Sequence, residues 1–185
     1  MRRLARVRAT VGSSRTLVLD GSLGFSIVAI VEERDGAPVC VAEDYLYDRP
    51  LLQRINSLVP DPADRTTLTS VVVGTGPGSY SGVRVVASAA VGIAAALALP
   101  LRESPSDRAL WQAVQRPFSI ALGARESLEV SESGALVVPR ETASSHFTQV
   151  ESRGVAACAL ANAAGPAVTQ ITLRYPAPAR GSERQ

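Results

Sequence analysis

Two short stretches carry the residue types that handle phosphates: Asp20-Gly21-Ser22, and "GTGPGSYSG" at Gly74–Gly82. An acid before a glycine turn can sit beside a nucleotide-bound metal. A Gly-rich turn between a strand and a helix can offer backbone N–H groups to phosphate oxygens. Turning over ATP asks for more, namely an acid to orient water or a hydroxyl and a second loop to hold adenosine. Thr75 to Gly82 contains no carboxylate. The downstream glycines Gly123, Gly134, Gly154 and Gly165 are single, each at a plausible turn or cap. Asp20, Gly21, Ser22, Gly76, Pro77, Gly78 and Ser79 are therefore read as no more than the remnant of a nucleotide loop. A plain Asp-Gly β-turn explains the first three without any ligand. The glycines of the second stretch permit close backbone approach, and Pro77 stiffens the turn.

Other chemistries fall away by inspection. The chain has no lysine, so the Gly-Lys-[Ser/Thr] of a P-loop is absent. "GPGSYSG" places Ser79 directly after Gly78, which is not a G-x-S-x-G nucleophile elbow. One histidine, His146, and two separated cysteines do not make a zinc site or a metalloprotease. No catalytic residue, metal or cofactor is assigned. Cys40 and Cys158 lie far apart in apolar surroundings and read as reduced, buried thiols.

These stretches need a sheet to carry them. "TLVLD", "FSIVAIVEE" and "PVCVAEDYLY" read as three strands, the last two joined by the hairpin signal "RDGA". Asp48 and Pro50 start a helix whose apolar residues Leu51, Leu52, Ile55, Leu58 and Val59 recur at helical spacing, until Pro60 and Pro62 end it. "LTSVVVG" is a strand buried on both faces, followed by the Gly loop and a helix from Ser81 to Leu99. Beyond it come a short strand "LRES", a helix capped by Ser104 or Ser106, and two or three strands turning near Ser133-Gly134. An Ala-rich helix closed by Gly165 and a last strand "AVTQITLRY" complete the order.

The helix after the Gly loop is unusual. Val86, Ala90, Ile93 and Leu97 share one face and suit the chain's own sheet. The opposite face reads Arg84, Ser88, Val91, Gly92, Ala95 and Leu99, with no charge past the first turn. A helix apolar on both sides is covered on both sides. Ser88 and Gly92 are small enough for another helix to come close. The segment 51–59 of the same chain is one candidate cover, and a second chain is the other.

The totals agree with a globular, non-membrane protein. The chain has 185 residues, of which 46% are hydrophobic and 19% charged, which excludes disorder and leaves room for a real core. A net charge of +2 gives no broad basic field for nucleic acid. Val85–Leu99 is too short and too Ala-rich to span a membrane. The acid-free, Arg-rich start reads as a loose tail, with the true start codon left open, and a cytoplasmic location is expected. The expected layout is a basic tail at 1–14, a first lobe at 15–102, a reduced second lobe at 103–176 and a tail at 177–185.

The order βββαβα, with a Gly/Pro loop before the last helix, resembles a lobe of the actin-like ATPase (ribonuclease H-like) fold. Gly74, Gly76, Pro77, Gly78, Ser79, Tyr80, Ser81, Gly82, Val83 and Arg84 fill the TsaB (YeaZ) family signature G-x-G-P-G-S-[FY]-[ST]-G-[LV]-R position by position. "LVLDGS", "IALGAR" and "LRYP" resemble further family segments, with Gly21 replacing a Thr and Gly123 an Asp. The resemblance implies an α/β fold of actin-like lobes, the second reduced. It also implies a non-catalytic partner of a TsaD-like enzyme in threonylcarbamoylation of tRNA adenosine 37, with a TsaE-like ATPase in the same complex. In that family the two helices would join TsaB to TsaD, or to a second copy. On this chain that surface maps to Leu51, Ile55, Arg84, Ser88, Val91, Gly92, Ala95 and Leu99, with tRNA touched only indirectly. The alternatives are an actin-like small-molecule kinase or ATPase and, third, a glycoprotease.

Overall fold

The computed structural model describes residues 14–24, 26–44, 50–122, 124–143 and 154–176. Residues 1–13 of the tail expected at 1–14, the tail at 177–185, the Asp48 cap, residues 45–47 of the third strand, Gly123 and His146 lie outside the described residues.

Strands β1 (Arg15–Asp20), β2 (Ile27–Arg34) and β3 (Ala37–Asp44) form the expected meander, β2 antiparallel to both neighbours. Helix α1 (Leu51–Leu58) and a four-residue turn of helix, α2 (Pro62–Arg65), lead to β4 (Leu68–Gly74), which lies parallel to β1. Helix α3 (Tyr80–Ala96) then crosses to β5 (Leu101–Ser104), parallel to β4. With the two-residue β9 (Ala167–Val168) the sheet order is β3-β2-β1-β4-β5-β9. This is the arrangement of a ribonuclease H-like lobe, as the sequence order implied. Leu17 to Leu19 and Val71 to Val73 have no exposed surface. Central parallel strands are covered on both faces, so their sequences read as unbroken apolar runs.

Period-two alternation divides those runs between two cores. Leu17, Leu19, Val71 and Val73 face Ile55, Val86, Ala87, Ala90 and Ala94 of α1 and α3. Val18, Val72, Ala29 and Val31 face the other way, onto α5 (Val155–Ala163) through Ala156, Ala157 and Leu160. That second core continues into α4 (Ser106–Val114) and a three-stranded sheet of β6 (Phe118–Ala121), β7 (Glu126–Ser131) and β8 (Gly134–Pro139). One apolar cluster therefore runs from Val18 to Leu160 across the expected lobe boundary near 102.

Four local expectations need correction. Pro62 does not merely end α1; it occupies the first turn of α2, whose Asp64 carboxylate accepts from the Asp61 N–H at 3.4 Å. Helix α3 stops at Ala96 rather than Leu99, because Ala98 turns left-handed (φ 50°) and the Leu99 N–H folds back to the Ala94 carbonyl at 2.9 Å. Neither Ser104 nor Ser106 caps α4, whose N-cap is Pro105 with no side-chain bond. The expected last strand pairs only at Ala167–Val168, because the backbone beyond it bonds to a loop and to side chains instead. Among the described residues no helix is long and apolar enough to cross a membrane.

Candidate functional site

The two Gly-bearing turns close on one another. A Cβ at Gly21 would overlap the Gly82 carbonyl, one at Gly82 the Gly21 carbonyl, and one at Gly78 the Ser22 backbone. Gly74 sits so tightly under Asp20 and Ser106 that a side chain there would displace both. Gly76 has a positive φ of 86°, and a Cβ on it would lie 2.6 Å from the Arg174 carbonyl. Thr75 through Gly78 are buried, including Pro77, which follows a cis peptide bond, and Ser79 is half-buried. Each turn thus packs directly against the backbone of the other, with no room for a side chain between them.

Asp20, at the end of β1, is fully buried. Its carboxylate accepts from the Ser22 N–H at 2.5 Å and from the Ser106 hydroxyl at 2.5 Å. Ser106 Oγ in turn accepts from the Gly76 N–H at 3.1 Å, so one hydroxyl ties β1, the Gly loop and α4 together. This is why Ser106 is not available as a helix cap. Burial pushes the Asp20 carboxyl above its ordinary value of 3.8, against the lowering effect of the Ser106 and Ser22 bonds. The arrangement is that of a structural knot around a buried acid.

The segment after β9 crosses this knot. The Arg174 N–H donates to the Thr75 carbonyl at 2.8 Å, and its guanidinium grips Asp107 of α4 at 2.5 and 3.3 Å. Tyr175 then stacks on exposed Tyr80 with ring centroids 4.9 Å apart. Arg84 lies 4.3 Å over the Tyr80 ring and donates from Nε to the Tyr175 hydroxyl at 3.2 Å.

Below that aromatic corner runs the outer face of α3. Arg84, Ser88, Val91, Gly92 and Ala95 are all exposed. Val85 and Val91 show 58% and 46% of their surface to solvent, and a Cβ at Gly92 would meet nothing within 4 Å among the described residues outside its own helix. Apolar side chains and an unused glycine therefore share one stripe. Beside it, a groove of about 160 Å³ runs between α1 and α3, lined by Leu52, Ile55, Val59, Ile93, Ala96 and Leu97 among others.

A family profile described as "TsaD: tRNA N6-adenosine threonylcarbamoyltransferase" matches residues 62–128, from α2 through the Gly loop and α3 into β7. The TsaB (YeaZ) resemblance of Gly74–Arg84 falls inside this matched segment. Among solved structures, the chain is similar to YeaZ from Pseudomonas aeruginosa at 19% identity and a TM-score of 0.46, over 73% of this chain and 71% of that one. A second structure, of a protein described as similar to peptidase YeaZ from Pseudomonas aeruginosa, matches at 18% identity and TM-score 0.46 over the same shares. No curated protein matches the chain.

The residues expected at a partner surface separate into two groups. Arg84, Ser88, Val91, Gly92 and Ala95 form the open stripe. Leu51 and Leu99 are half-buried against the core, and Ile55 is 5% exposed, at the floor of the groove. Leu52, 60% exposed at the groove's lip, and Val85 were missed. Val85 was legible, since it stands three residues before Ser88 and seven before Gly92 on the same helical face. Cys40 and Cys158, expected to be reduced and buried, are free and half-buried and line a common groove. Among the described residues no group of three or more His, Cys, Asp or Glu side chains could hold a metal ion.

Proposed function

We propose that the chain is a non-catalytic partner subunit. It docks a TsaD-like protein through the outer face of α3 and the lip of α1, in the formation of N6-threonylcarbamoyladenosine at adenosine 37 of tRNA. The observation that carries this reading is the open stripe, where Val85, Val91 and Gly92 face solvent beside an apolar groove. A contiguous apolar face of this kind is the mark of an interaction surface. The description of the matching family supplies the pathway. The same stripe serves self-association when the partner is absent, a TsaE-like ATPase joins the assembled complex, and tRNA is touched through the partner. The site of action is the bacterial cytoplasm.

The rival reading is an actin-like small-molecule kinase or ATPase. It draws on Asp20, which stands at the end of β1 beside a Gly loop, where such an enzyme keeps its acid. Against it, Asp20 is sealed by Ser22, Ser106 and Gly74, and the two turns pack directly against each other's backbone. Co-expression with a TsaD-like protein and purification through a tag on either chain tests the proposal. The expected result is a stoichiometric complex, with no ATP hydrolysis and no measurable ATP–Mg²⁺ binding by this chain alone. Mg-dependent phosphorylation of a small alcohol by the isolated chain would overturn it.

A further inference from the structure

On the sheet face away from α3, the two cysteines meet. Gly154 opens α5 in a left-handed conformation (φ 73°) and abuts edge strand β3, so that a Cβ on it would lie 2.8 Å from Cys40 Cβ. The Cys158 N–H donates to the Gly154 carbonyl at 2.9 Å, which puts Cys158 one turn further on the same helical face. Both thiols line one groove of about 680 Å³ between β3 and α5, walled otherwise by Pro38, Val39, Ala113 and Val155 among others. Cys40 Sγ donates to Glu43 Oε2 and to the Ala42 carbonyl, each at 3.6 Å. Both thiols are free and half-buried, so a small reagent entering the groove reaches them together.

We propose that Cys40 and Cys158 form a thiol–disulfide exchange site that takes low-molecular-weight disulfides and, when oxidised, ties β3 to α5. The Cys158 thiolate attacks one sulfur of the reagent RSSR, forming a mixed disulfide and releasing RS⁻, which takes the proton Cys158 lost. Cys40 then gives its proton to Glu43 and attacks Cys158 Sγ. The Cys40–Cys158 bond forms, the mixed disulfide breaks, and the second RS⁻ recovers the proton through Glu43. Two protein thiols are oxidised and one small disulfide is reduced to two thiols, so atoms and electrons balance. Cys158 is assigned the first attack because the Cys40 backbone N–H stabilises its thiolate; burial and then the Glu43 carboxylate oppose ionisation of Cys40, and the same carboxylate also opposes that of Cys158. Burial pushes both thiols up, Cys40 to about 12, so exchange is slow at neutral pH and quickens as pH rises.

The test uses the full-length, fully reduced chain in native buffer with excess oxidised glutathione, at neutral and mildly alkaline pH. Samples are quenched with acid and read by intact mass and peptide mapping. The expected product has lost two hydrogens, carries a Cys40–Cys158 cross-linked peptide, and reverts with dithiothreitol. Cys40→Ser and Cys158→Ser should each stop at one glutathione adduct without the cross-link. The proposal is overturned by two stable glutathione adducts on one chain, by a disulfide between chains, by no reaction at either pH, or by a cross-link that appears only in urea.

Discussion

Gly78 and Gly92 belong to one continuous loop-and-helix unit, yet their missing side chains serve different ends. At Gly78 the vacancy is already used, because the backbone of Ser22 occupies the place where a Cβ would be. At Gly92 nothing among the described residues outside the helix's own backbone comes within 4 Å of that place. The loop's glycines are spent on internal contact, which packs the two turns together. The helix's glycine is left over, on a face that also exposes Val85 and Val91. A glycine inside a helix costs about 1 kcal/mol relative to alanine, and one without an internal contact to justify that cost points outward, to something that comes close.

The largest expected effect separates these two uses. Gly92→Arg should leave the monomer folded, because the site is open and arginine is the better helix former. It should abolish association with a TsaD-like partner or a second copy. A long charged side chain blocks helix approach and buries an unpaired charge, at about 3–5 kcal/mol. Ala95→Glu should act alike, whereas Ile93→Glu, on a side chain packed against the core, should unfold the chain itself. Circular dichroism and size-exclusion chromatography with the partner read both outcomes. A Gly92→Arg chain that fails to fold would sink the comparison, for that face would then belong to the interior.

Next in size is the loop. Gly78→Ala and Gly21→Ala each drive a methyl group into backbone that has no rotamer to yield, so the two turns must part. A loss of about 3 kcal/mol is expected, at the upper end for overpacking, with a lower urea midpoint and an unchanged slope. Wild-type stability in either variant would mean that the turns are not in contact.

The third test is electrostatic and concerns the acid under the loop. Because burial raises the Asp20 carboxyl, the folded state holds its proton more tightly than the unfolded chain does. That contribution to stability is fully present below the unfolded value of 3.8 and is lost as pH rises through the folded value. Asp20→Asn keeps an acceptor for the Ser22 N–H and presents a donor to Ser106 Oγ, and it removes this titration. Its stability should therefore fall less than wild type's as pH is raised from the ordinary carboxylate range to neutrality. Parallel curves for the two proteins would mean that Asp20 stays ionised in the fold.

How much of this was legible depends on whether a feature is local. Strands β1 and β4 were legible because a parallel strand covered on both faces writes itself as an apolar run. The orientation of α1 was not. Its periodicity put Leu52 inward, but Leu52 is exposed and Arg54 is buried. Arg54 pairs with Asp44 at 3.4 Å and donates to the Ser26 carbonyl at 2.8 Å, and this turns the helix about its axis. A hydrophobic count cannot see a buried ion pair whose partner lies on a separate element, here the end of β3. Ser106 had the sequence context of a cap and the tertiary role of a bridge to Asp20. The exposed stripe of α3 was legible in outline because absence of charge past its first turn is itself a local signal.

The smallest expected effect concerns the strap that crosses the loop. Its backbone bond at Thr75 and its side-chain grip on Asp107 are separable. Asp107 is 2% exposed and Arg174 42%, so the pair is neither fully screened nor fully desolvated. Asp107 also sits in the first turn of α4, where the helix dipole favours its charge and limits the cost of losing Arg174. Arg174→Ala should then cost about 1 kcal/mol, and Arg174→Ala with Asp107→Asn should show a coupling of similar size in a double-mutant cycle by urea denaturation. Zero coupling would mean that the backbone bond alone holds the strap. The side chain would then matter only for carrying Tyr175 onto Tyr80 and Arg84, at the upper end of the exposed stripe.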